Sequence, residues 1–566
     1  MKASPRVVVV GFLIAGCLSV AACKRLFAPP TLTVKSVAEG RRAALGIGLL
    51  PDLDRSIGRV SAVAQAINLP FDAAAMREKL LAEIKIPLGA SKAISMNMPV
   101  AIVLLPPAAP GKDPEATAAL ALASADAVKE VAGAFGKPIA TKDDAASFKQ
   151  ADGSNFWLWH KDGNVVVSTS LDALVTGAAL ALESLTKSEE DLVVTVSPEA
   201  IAKSQGTEVK TAMAKLAKDV ESEGKAAGRS LLSLALAKVV VNALSDKLAD
   251  IEEARLSVHI DAILGGTFTT RFKPKAGSAL ARSMGKPAPY TLEPAVFAAG
   301  DPFMLLASSP TTWVADAWRT LAPVLTQSPD GAALAKPFET IFAGLTGGFS
   351  LAARIKDKQW QQVGAYELAS GTAPDAYLDQ IMALYKSPEL TKVSAALDLK
   401  LKPSVTRDKN GIVGELKVDL SNLPAQQAVA MKSVLGDKYQ FALAAEPGRV
   451  FLATGRDARA LVKNLATRGA AKPSPSANVA AAVEETRTAD GLMYLDLMQI
   501  VRLGLAATPM GATLGQVPAM ASLGMPMWLS YRAGQAATLE LRIPMSTVRS
   551  VGSLVPLFMM FAGGGQ

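Results

Sequence analysis

Two short apolar runs on either side of a turn mark residues 155–172, and likewise residues 440–457, as pairs of β-strands. A glycine, Gly163 in one stretch and Gly448 in the other, stands between the two runs, where a tight hairpin turn favours it. Each stretch ends on an aspartate, at a position where a helix N-cap is expected. Both stretches are therefore predicted to be hairpins that lead into a helix.

The two hairpins belong to a longer series of matches between the halves of the chain. Three further pairs of segments occur in the same order: a strand end before a helix, a strand that ends on a helix-capping residue, and a strand pair before a helix. These segments are 122–124 with 368–370, 192–197 with 492–496, and 256–272 with 529–543. The shared order predicts an internal duplication and an α+β fold of two similar halves, each made of antiparallel strand hairpins backed by helices.

The duplication also predicts the domain boundaries. The first α+β repeat is expected over residues 41–286 and the second over residues 287–566. The offset between matched positions rises and then falls, which places an insertion in the first repeat at about residues 203–253. Apolar residues at helical spacing predict that this insertion is a long amphipathic helix. The matching gap, residues 504–524, is rich in Gly, Pro, Ala and Met and predicts loop and broken helix.

The first 22 residues have the layout of a secretory signal peptide, with a basic start, an apolar run and small residues before Cys23. An uncleaved transmembrane anchor is the alternative, but the apolar run is short of the roughly 20 residues that a spanning helix needs. The end of the segment resembles the lipobox of bacterial lipoproteins. In that family the cysteine receives a diacylglycerol, the chain is cut before it, and the new amino terminus is acylated.

The lipobox resemblance implies that the mature chain begins at Cys23 and is held to a membrane by lipid. Residues 23–40 contain two prolines and no periodic pattern, and they are predicted to form the lipidated tether. Lys24 rather than aspartate follows the cysteine. In lipoproteins of enteric type this resembles an address for the outer membrane, so we expect a periplasmic or surface-exposed protein of the cell envelope.

Composition narrows the function further. The chain has 566 residues, 50 % of them hydrophobic, which is enough for two or three domains with ample cores. Cys17 and Cys23 are its only cysteines, one in the signal peptide and one capped by lipid, so cysteine nucleophiles and thiolate metal sites are excluded from the mature chain. The net charge of +8 is interleaved with acidic residues, and aromatic residues make up 5 %. Nucleic acid is therefore not expected as a partner.

The sequence offers little candidate chemistry. His160 and His259 are the only histidines, and neither has a second histidine at metal-ligand spacing, so both are interpreted as ordinary strand residues. Neither a nucleophile elbow nor a phosphate-binding loop is present. A Ser-x-x-Lys match at residues 283–286 is expected by chance. The sequence thus predicts no catalytic, cofactor-binding or metal-binding residues, and Cys23 is the one modification site.

Paired acidic residues are the remaining polar feature. They occur at 189–191, 252–253 and 484–485, and we expect them at loops or helix ends, where carboxylates are solvated or favoured by the helix dipole. A strand followed by a proline and a helix is predicted around residues 49–52. This arrangement and the paired hairpins resemble an uncharacterised family of envelope lipoproteins with a duplicated domain of unknown function. The resemblance covers the mature chain and implies no catalytic residues.

Apolar clusters supply the last clue to function. Trp157 and Trp159 share one strand face, and residues 525–528 and 558–561 are rich in methionine. Methionine suits adaptable surfaces that take up lipid or varied partners, although it also fills ordinary cores. We therefore expect a non-catalytic envelope lipoprotein that binds a partner protein or a lipophilic ligand. The alternative is a hydrolase that acts on envelope polymers through carboxylates that the sequence does not identify.

Overall fold

The protein is a mixed α+β molecule in a computed structural model, which describes chiefly residues 44–201, 249–396, 401–418, 439–466, 475–506 and 523–563, with short internal gaps. The chain divides into two compact units. The first comprises residues 1–209, 251–273 and 555–566, and the second comprises residues 210–250 and 274–554. The predicted signal peptide and tether, with Cys23, lie outside the described residues, as do most of the predicted insertion and most of the gap at 504–524.

Ten of the 20 described strands of the sheet form the centre of the first unit, and we call these ten strands the first sheet. Its strands are β1 (Gly46–Leu50), β2 (Val100–Leu105), β3 (Glu115–Ala121), β4 (Ala140–Lys142), β5 (Ala145–Lys149), β6 (Asn155–Lys161), β7 (Asn164–Ser168), β8 (Leu192–Val196), β9 (Ile251–Asp261) and β10 (Gly265–Pro274). Across the sheet they follow the order β10-β9-β8-β1-β2-β3-β7-β6-β5-β4. Every pairing whose register is described is antiparallel, as the predicted fold class requires.

Helices cover both faces of this sheet. They are α1 (Leu53–Ala66), α2 (Ala73–Glu83), α3 (Ala127–Ala134) and α4 (Leu171–Glu183). The first three pack against the face that carries Val165, and α4 packs against the face that carries Val166. Because successive strand residues point to opposite faces, the continuous apolar run of β7 is what a sheet buried on both sides needs.

The other ten described strands form the centre of the second unit, and we call them the second sheet. They are β11 (Met304–Ser308), β12 (Leu345–Lys356), β13 (Gln359–Leu368), β14 (Leu401–Asp408), β15 (Gly411–Val418), β16 (Tyr439–Glu446), β17 (Arg449–Thr454), β18 (Gly491–Asp496), β19 (Pro526–Arg532) and β20 (Ala537–Pro544). Their order is β20-β19-β18-β11-β12-β13-β17-β16-β15-β14, all antiparallel. Strand for strand, this is the order found in the first unit.

Nine α-helices follow the first sheet in the described part of the chain. They are α5 (Ala279–Ser283), α6 (Trp313–Leu325), α7 (Pro329–Ala343), α8 (Pro374–Lys386), α9 (Pro388–Ala396), α10 (Ala458–Ala466), α11 (Ala477–Thr486), α12 (Leu497–Ala506) and α13 (Met545–Gly563). A core of Leu334, Tyr377 and Val393 from α7, α8 and α9 packs on Phe441 and neighbouring strand residues. Helix α10 packs on the opposite face of β16 and β17. Among the described helices, none is long and apolar enough to cross a membrane.

The predicted hairpins are confirmed, and each leads into a helix. In the first, Asp162 and Gly163 both have positive φ, +50° and +74°, which is the pattern of a type I′ turn. In the second, Gly448 has φ +81° after Pro447, which is the pattern of a type II turn. The two turns differ, yet each turn glycine accepts a backbone hydrogen bond at the same place, from Leu122 to Gly163 at 2.8 Å and from Leu368 to Gly448 at 2.9 Å.

The strand, proline and helix around residues 49–52 are confirmed as well. Leu50 ends β1, and Asp52 is the N-cap of α1, with its side chain accepting a hydrogen bond from the backbone N–H of Arg55 at 2.8 Å. Proline cannot donate to a ladder and favours an extended residue before it, so it ends the strand without preventing the helix that follows.

Two local predictions are wrong. Asp172 is not the N-cap of α4, because Ser170 accepts the capping hydrogen bond from Ala173 at 3.0 Å and Asp172 lies in the first turn. Glu252 and Glu253 do not lie at a loop or helix end. They lie within β9, since that strand starts at Ile251, well before the predicted start.

Candidate functional site

The structure keeps the two histidines apart. His160 is exposed on β6, and His259 lies on β9, with five strands between them in the sheet order. The Nδ1 atom of His259 is 3.0 Å from the carbonyl oxygen of Glu189 and 3.4 Å from Nη1 of Arg59. Within the described ranges, no group of three or more His, Cys, Asp and Glu side chains could hold a metal ion. Of the Ser-x-x-Lys match, Ser283 ends α5 and Lys286 lies outside the described residues.

One end of the first sheet is organised by Asp191, a buried aspartate. The sequence pattern predicts it to be one of a group of solvated acids. Asp191 precedes β8 and is only 3 % exposed. Its carboxylate accepts hydrogen bonds from Nη1 of Arg59 at 2.9 and 3.1 Å, from the Ser56 hydroxyl at 3.2 Å and from the backbone N–H of Ile260 at 2.6 Å. Both oxygens accept hydrogen bonds, so this carboxylate holds α1 against the end of β9.

Asp490 has the corresponding place in the second unit. It precedes β18 and is 4 % exposed. Its carboxylate accepts hydrogen bonds from the backbone N–H groups of Ala288 and of Ala533, the latter at 2.7 Å. Its own N–H donates to the carbonyl of Tyr531 on β19, as the N–H of Asp191 donates to Val258 on β9, both at 2.8 Å. An aspartate directly before an apolar strand is the sequence signal that could have identified this pair.

A cleft of about 480 Å³ opens in the first unit beside α1 and α2. Asp54, Arg77, Glu78 and Lys92 line it together with serine, asparagine and a few apolar residues. Arg77 donates to the carboxylate of Asp54, so one of the two acidic side chains in the cleft is already paired. The mixed and charged lining suits a polar ligand and does not suit a lipophilic one.

One face of the second sheet is apolar and only partly covered. Residues that pair directly across an antiparallel sheet share a face. Leu306, Met493, Leu529 and Leu541 form one such row across four strands, and Met304, Leu495 and Met527 form the next row. We call these seven side chains the Met-rich face. Six of them are partly buried, and Met493 is 39 % exposed.

The Met-rich face differs from an ordinary solvent-facing sheet. The uncovered face of an antiparallel sheet is usually polar, whereas these two rows contain no polar side chain. The opposite face of the same strands holds the buried side chains of Leu305, Leu492 and Trp528. Trp528 from the predicted methionine cluster thus serves the core, while Met527 lies on the Met-rich face.

The tryptophan pair of the first unit is placed as its alternation predicts. Trp157 and Trp159 are partly buried against the cluster beneath α4, and Phe156 and Leu158 are buried on the other face of β6. Both tryptophans therefore take part in ordinary core packing.

Comparisons of the chain with protein-family models, with curated proteins and with solved structures found no match.

Proposed function

We propose that this protein is a lipid-anchored lipoprotein of the cell envelope that binds a lipophilic ligand, or the apolar surface of a partner protein, without catalysis. The Met-rich face is the observation that carries the binding proposal. Seven apolar side chains in two registered rows, with methionines among them, give a surface that can adapt to varied apolar shapes. Large exposed apolar patches mark sites of interaction, and Met493 is the exposed member of this face.

The anchoring part of the proposal rests on the sequence before the folded units. Small residues precede Cys23, as in a lipobox, and Lys24 follows it. A single acyl chain gives only marginal membrane binding, whereas the two or three chains of a bacterial lipoprotein give stable attachment. The residue after the cysteine favours the outer membrane, with the protein on its periplasmic or surface face.

We also propose that the two units are copies of one ancestral α+β domain. The identical strand order supports this, and so does the register. Leu158 pairs with Val167 in the first hairpin as Leu443 pairs with Leu452 in the second. The buried aspartates Asp191 and Asp490 add a match in hydrogen bonding that strand order alone does not require.

Site-specific photo-crosslinking in intact cells tests the binding proposal. A photoreactive amino acid is placed at Met493 on the Met-rich face, and at Gln535, an exposed residue of the same unit, as the control. We expect adducts from position 493 and not from position 535. Adducts that extract with lipid identify a lipophilic ligand, and adducts of higher mass on a gel identify a partner protein. Equal yields from both positions would contradict the proposal.

The hydrolase alternative has one feature in its favour, the two carboxylates of the polar cleft. Asp54 and Glu78 both line it, although Asp54 is engaged by Arg77. Substituting Asn for Asp54 and Gln for Glu78 removes the carboxylates with little change in shape. Under the binding proposal this double variant keeps full function in cells. Complete loss of function with normal folding would favour the hydrolase.

A further inference from the structure

Two neighbouring aliphatic residues stand at the apex of the hairpin between β9 and β10. Ile263 is 81 % exposed and Leu264 is 58 % exposed. Single exposed aliphatic residues are common on protein surfaces and need no explanation. Ile263 and Leu264 are adjacent at the tip of a hairpin turn, where they form a small convex apolar surface. The rest of the fold leaves this surface exposed to solvent.

The backbone at this tip is held in place by Asp261. One carboxylate oxygen of Asp261, Oδ1, accepts hydrogen bonds from the N–H groups of both Ile263 and Leu264, each at 2.7 Å. An aspartate that bonds the backbone two and three residues ahead fixes a turn locally. The two aliphatic side chains are therefore presented by an ordered turn, and ordering them on binding costs little conformational entropy.

The corresponding hairpin of the second unit, between β19 and β20, lacks both features. Its exposed residues are Gly534 and Gln535, and it carries no aspartate that could hold the turn. The same strand order thus tolerates a small and polar tip. The aliphatic pair in the first unit is not a requirement of the fold, and it needs a separate reason.

We propose that the Ile263–Leu264 tip enters the surface of the membrane to which the chain is anchored, as a second contact beside the lipid. The inference rests on the proposed acylation of Cys23. A stable protein interface needs roughly 800 Å² from each partner, far more than two side chains at a convex tip supply. A fluid bilayer closes around such a tip from all sides, so lipid is the occupant that fits this shape.

The chain between the anchor and the fold is long enough for this contact. Twenty residues, 24–43, separate Cys23 from Ala44, the first described residue, and can span at most about 70 Å. Gly46 at the start of β1 pairs with Val196 on β8, and Val196 pairs with Ala254 on β9. Ile263 lies nine residues beyond Ala254, about 30 Å along the strand direction. The anchor and the tip can therefore reach one membrane together.

Labelling of a single cysteine tests the inference on the full mature protein. Its cysteines are lost with the signal peptide or acylated, so Ile263→Cys supplies a unique thiol for an environment-sensitive fluorophore, and Gln535→Cys supplies the matched control. The purified protein is reconstituted into phosphatidylethanolamine and phosphatidylglycerol vesicles. We expect emission from position 263 to shift to shorter wavelength and to lose quenching by aqueous iodide, and emission from position 535 to remain that of water.

Other outcomes separate this inference from the proposed anchoring, because mass spectrometry of the same sample reports acylation independently. An acylated protein whose probe at position 263 stays in water overturns the tip and leaves the anchor standing. A protein without acyl chains removes the anchor and overturns the inference that rests on it. Equal shifts at both positions, or shielding of position 263 in cell membranes but not in lipid vesicles, overturn the inference, the last in favour of a protein partner.

Discussion

Among single residues, one buried carboxylate in each unit fixes the contact with a neighbouring strand. Asp191 and Asp490 each precede an apolar strand. The backbone N–H of each aspartate donates to a carbonyl of the neighbouring strand, and its carboxylate accepts a hydrogen bond from the backbone N–H two residues further along the chain. Asp191 also engages Arg59, which is 24 % exposed. A carboxylate without solvent has to be paired, so the loss of one of these aspartates leaves donors buried and unsatisfied.

We expect Asp191→Ala to destabilise the protein by about 3 kcal/mol, because it leaves the Ile260 N–H without its acceptor and removes the carboxylate that pairs with Arg59. Urea unfolding followed by circular dichroism measures the loss. Glu189→Ala is the control in the same loop, since that side chain is 91 % exposed. It should change stability by less than about 0.5 kcal/mol. Similar midpoints for the two variants would show that Asp191 does not hold the loop.

Buried tyrosines of the second unit predict a loss of stability in alkali. Burial, followed by the nearby Tyr439, raises the pKa of Tyr366 to about 12. A tyrosine with a raised pKa in the folded state contributes stability that is complete below the unfolded value, about 10, and is lost as the pH rises through 12. The urea midpoint should therefore fall between pH 10 and pH 12. Tyr366→Phe should lessen this fall and leave the midpoint at pH 8 nearly unchanged. An equal fall in both proteins would rule out this origin.

At the scale of elements, hydrogen bonding refines the match between the two sheets. The sequence pattern aligns Leu192 with Leu492, but the bonds from Asp191 to Val258 and from Asp490 to Tyr531 align Leu192 with Gly491. A shift of one residue moves a side chain to the other face of a strand. Under the structural register the buried Val193 corresponds to the buried Leu492, which explains why both are core residues.

The hairpin glycine Gly448 offers a test of backbone strain in a turn. Gly448→Ala should cost about 1 kcal/mol, because alanine disfavours the positive φ of this turn although no atom crowds the added methyl. Gly58→Ala is the matched control, since Gly58 lies exposed within α1 and its added methyl also meets nothing. That variant should stabilise by about 0.5–1 kcal/mol. Thermal unfolding that moved in the same direction for both would contradict the turn geometry.

At the scale of the whole molecule, the proposed anchor decides where the two units work. We expect Cys23→Ala to leave the precursor unacylated and unprocessed, since the modified sulfur is gone. Mass spectrometry of the amino terminus and fractionation of cell membranes report the change. Cys17→Ala is the control, because Cys17 lies within the proposed signal peptide and is not the proposed lipidation site. A wild-type amino terminus without acyl chains would contradict the proposal.

Local sequence patterns predict the two hairpins, several other elements and the fold class. The hairpins around Gly163 and Gly448 follow from short apolar runs beside a turn glycine, and the strand of His259 follows from its alternation. Such signals lie within a few residues of one another, so no tertiary contact is needed to find them. The mixed α+β class follows from the sum of these elements.

Tertiary structure alone decided which residues share a surface. The sequence predicts that Asp191 is one of three solvated acids. It is buried because it contacts Arg59 and Ile260, which are remote in sequence. The Met-rich face joins Leu306, Met493 and Leu529 from strands far apart in the chain, and only their register brings them into one row. Pairing between distant strands depends on the packing of the whole sheet, which no local pattern encodes.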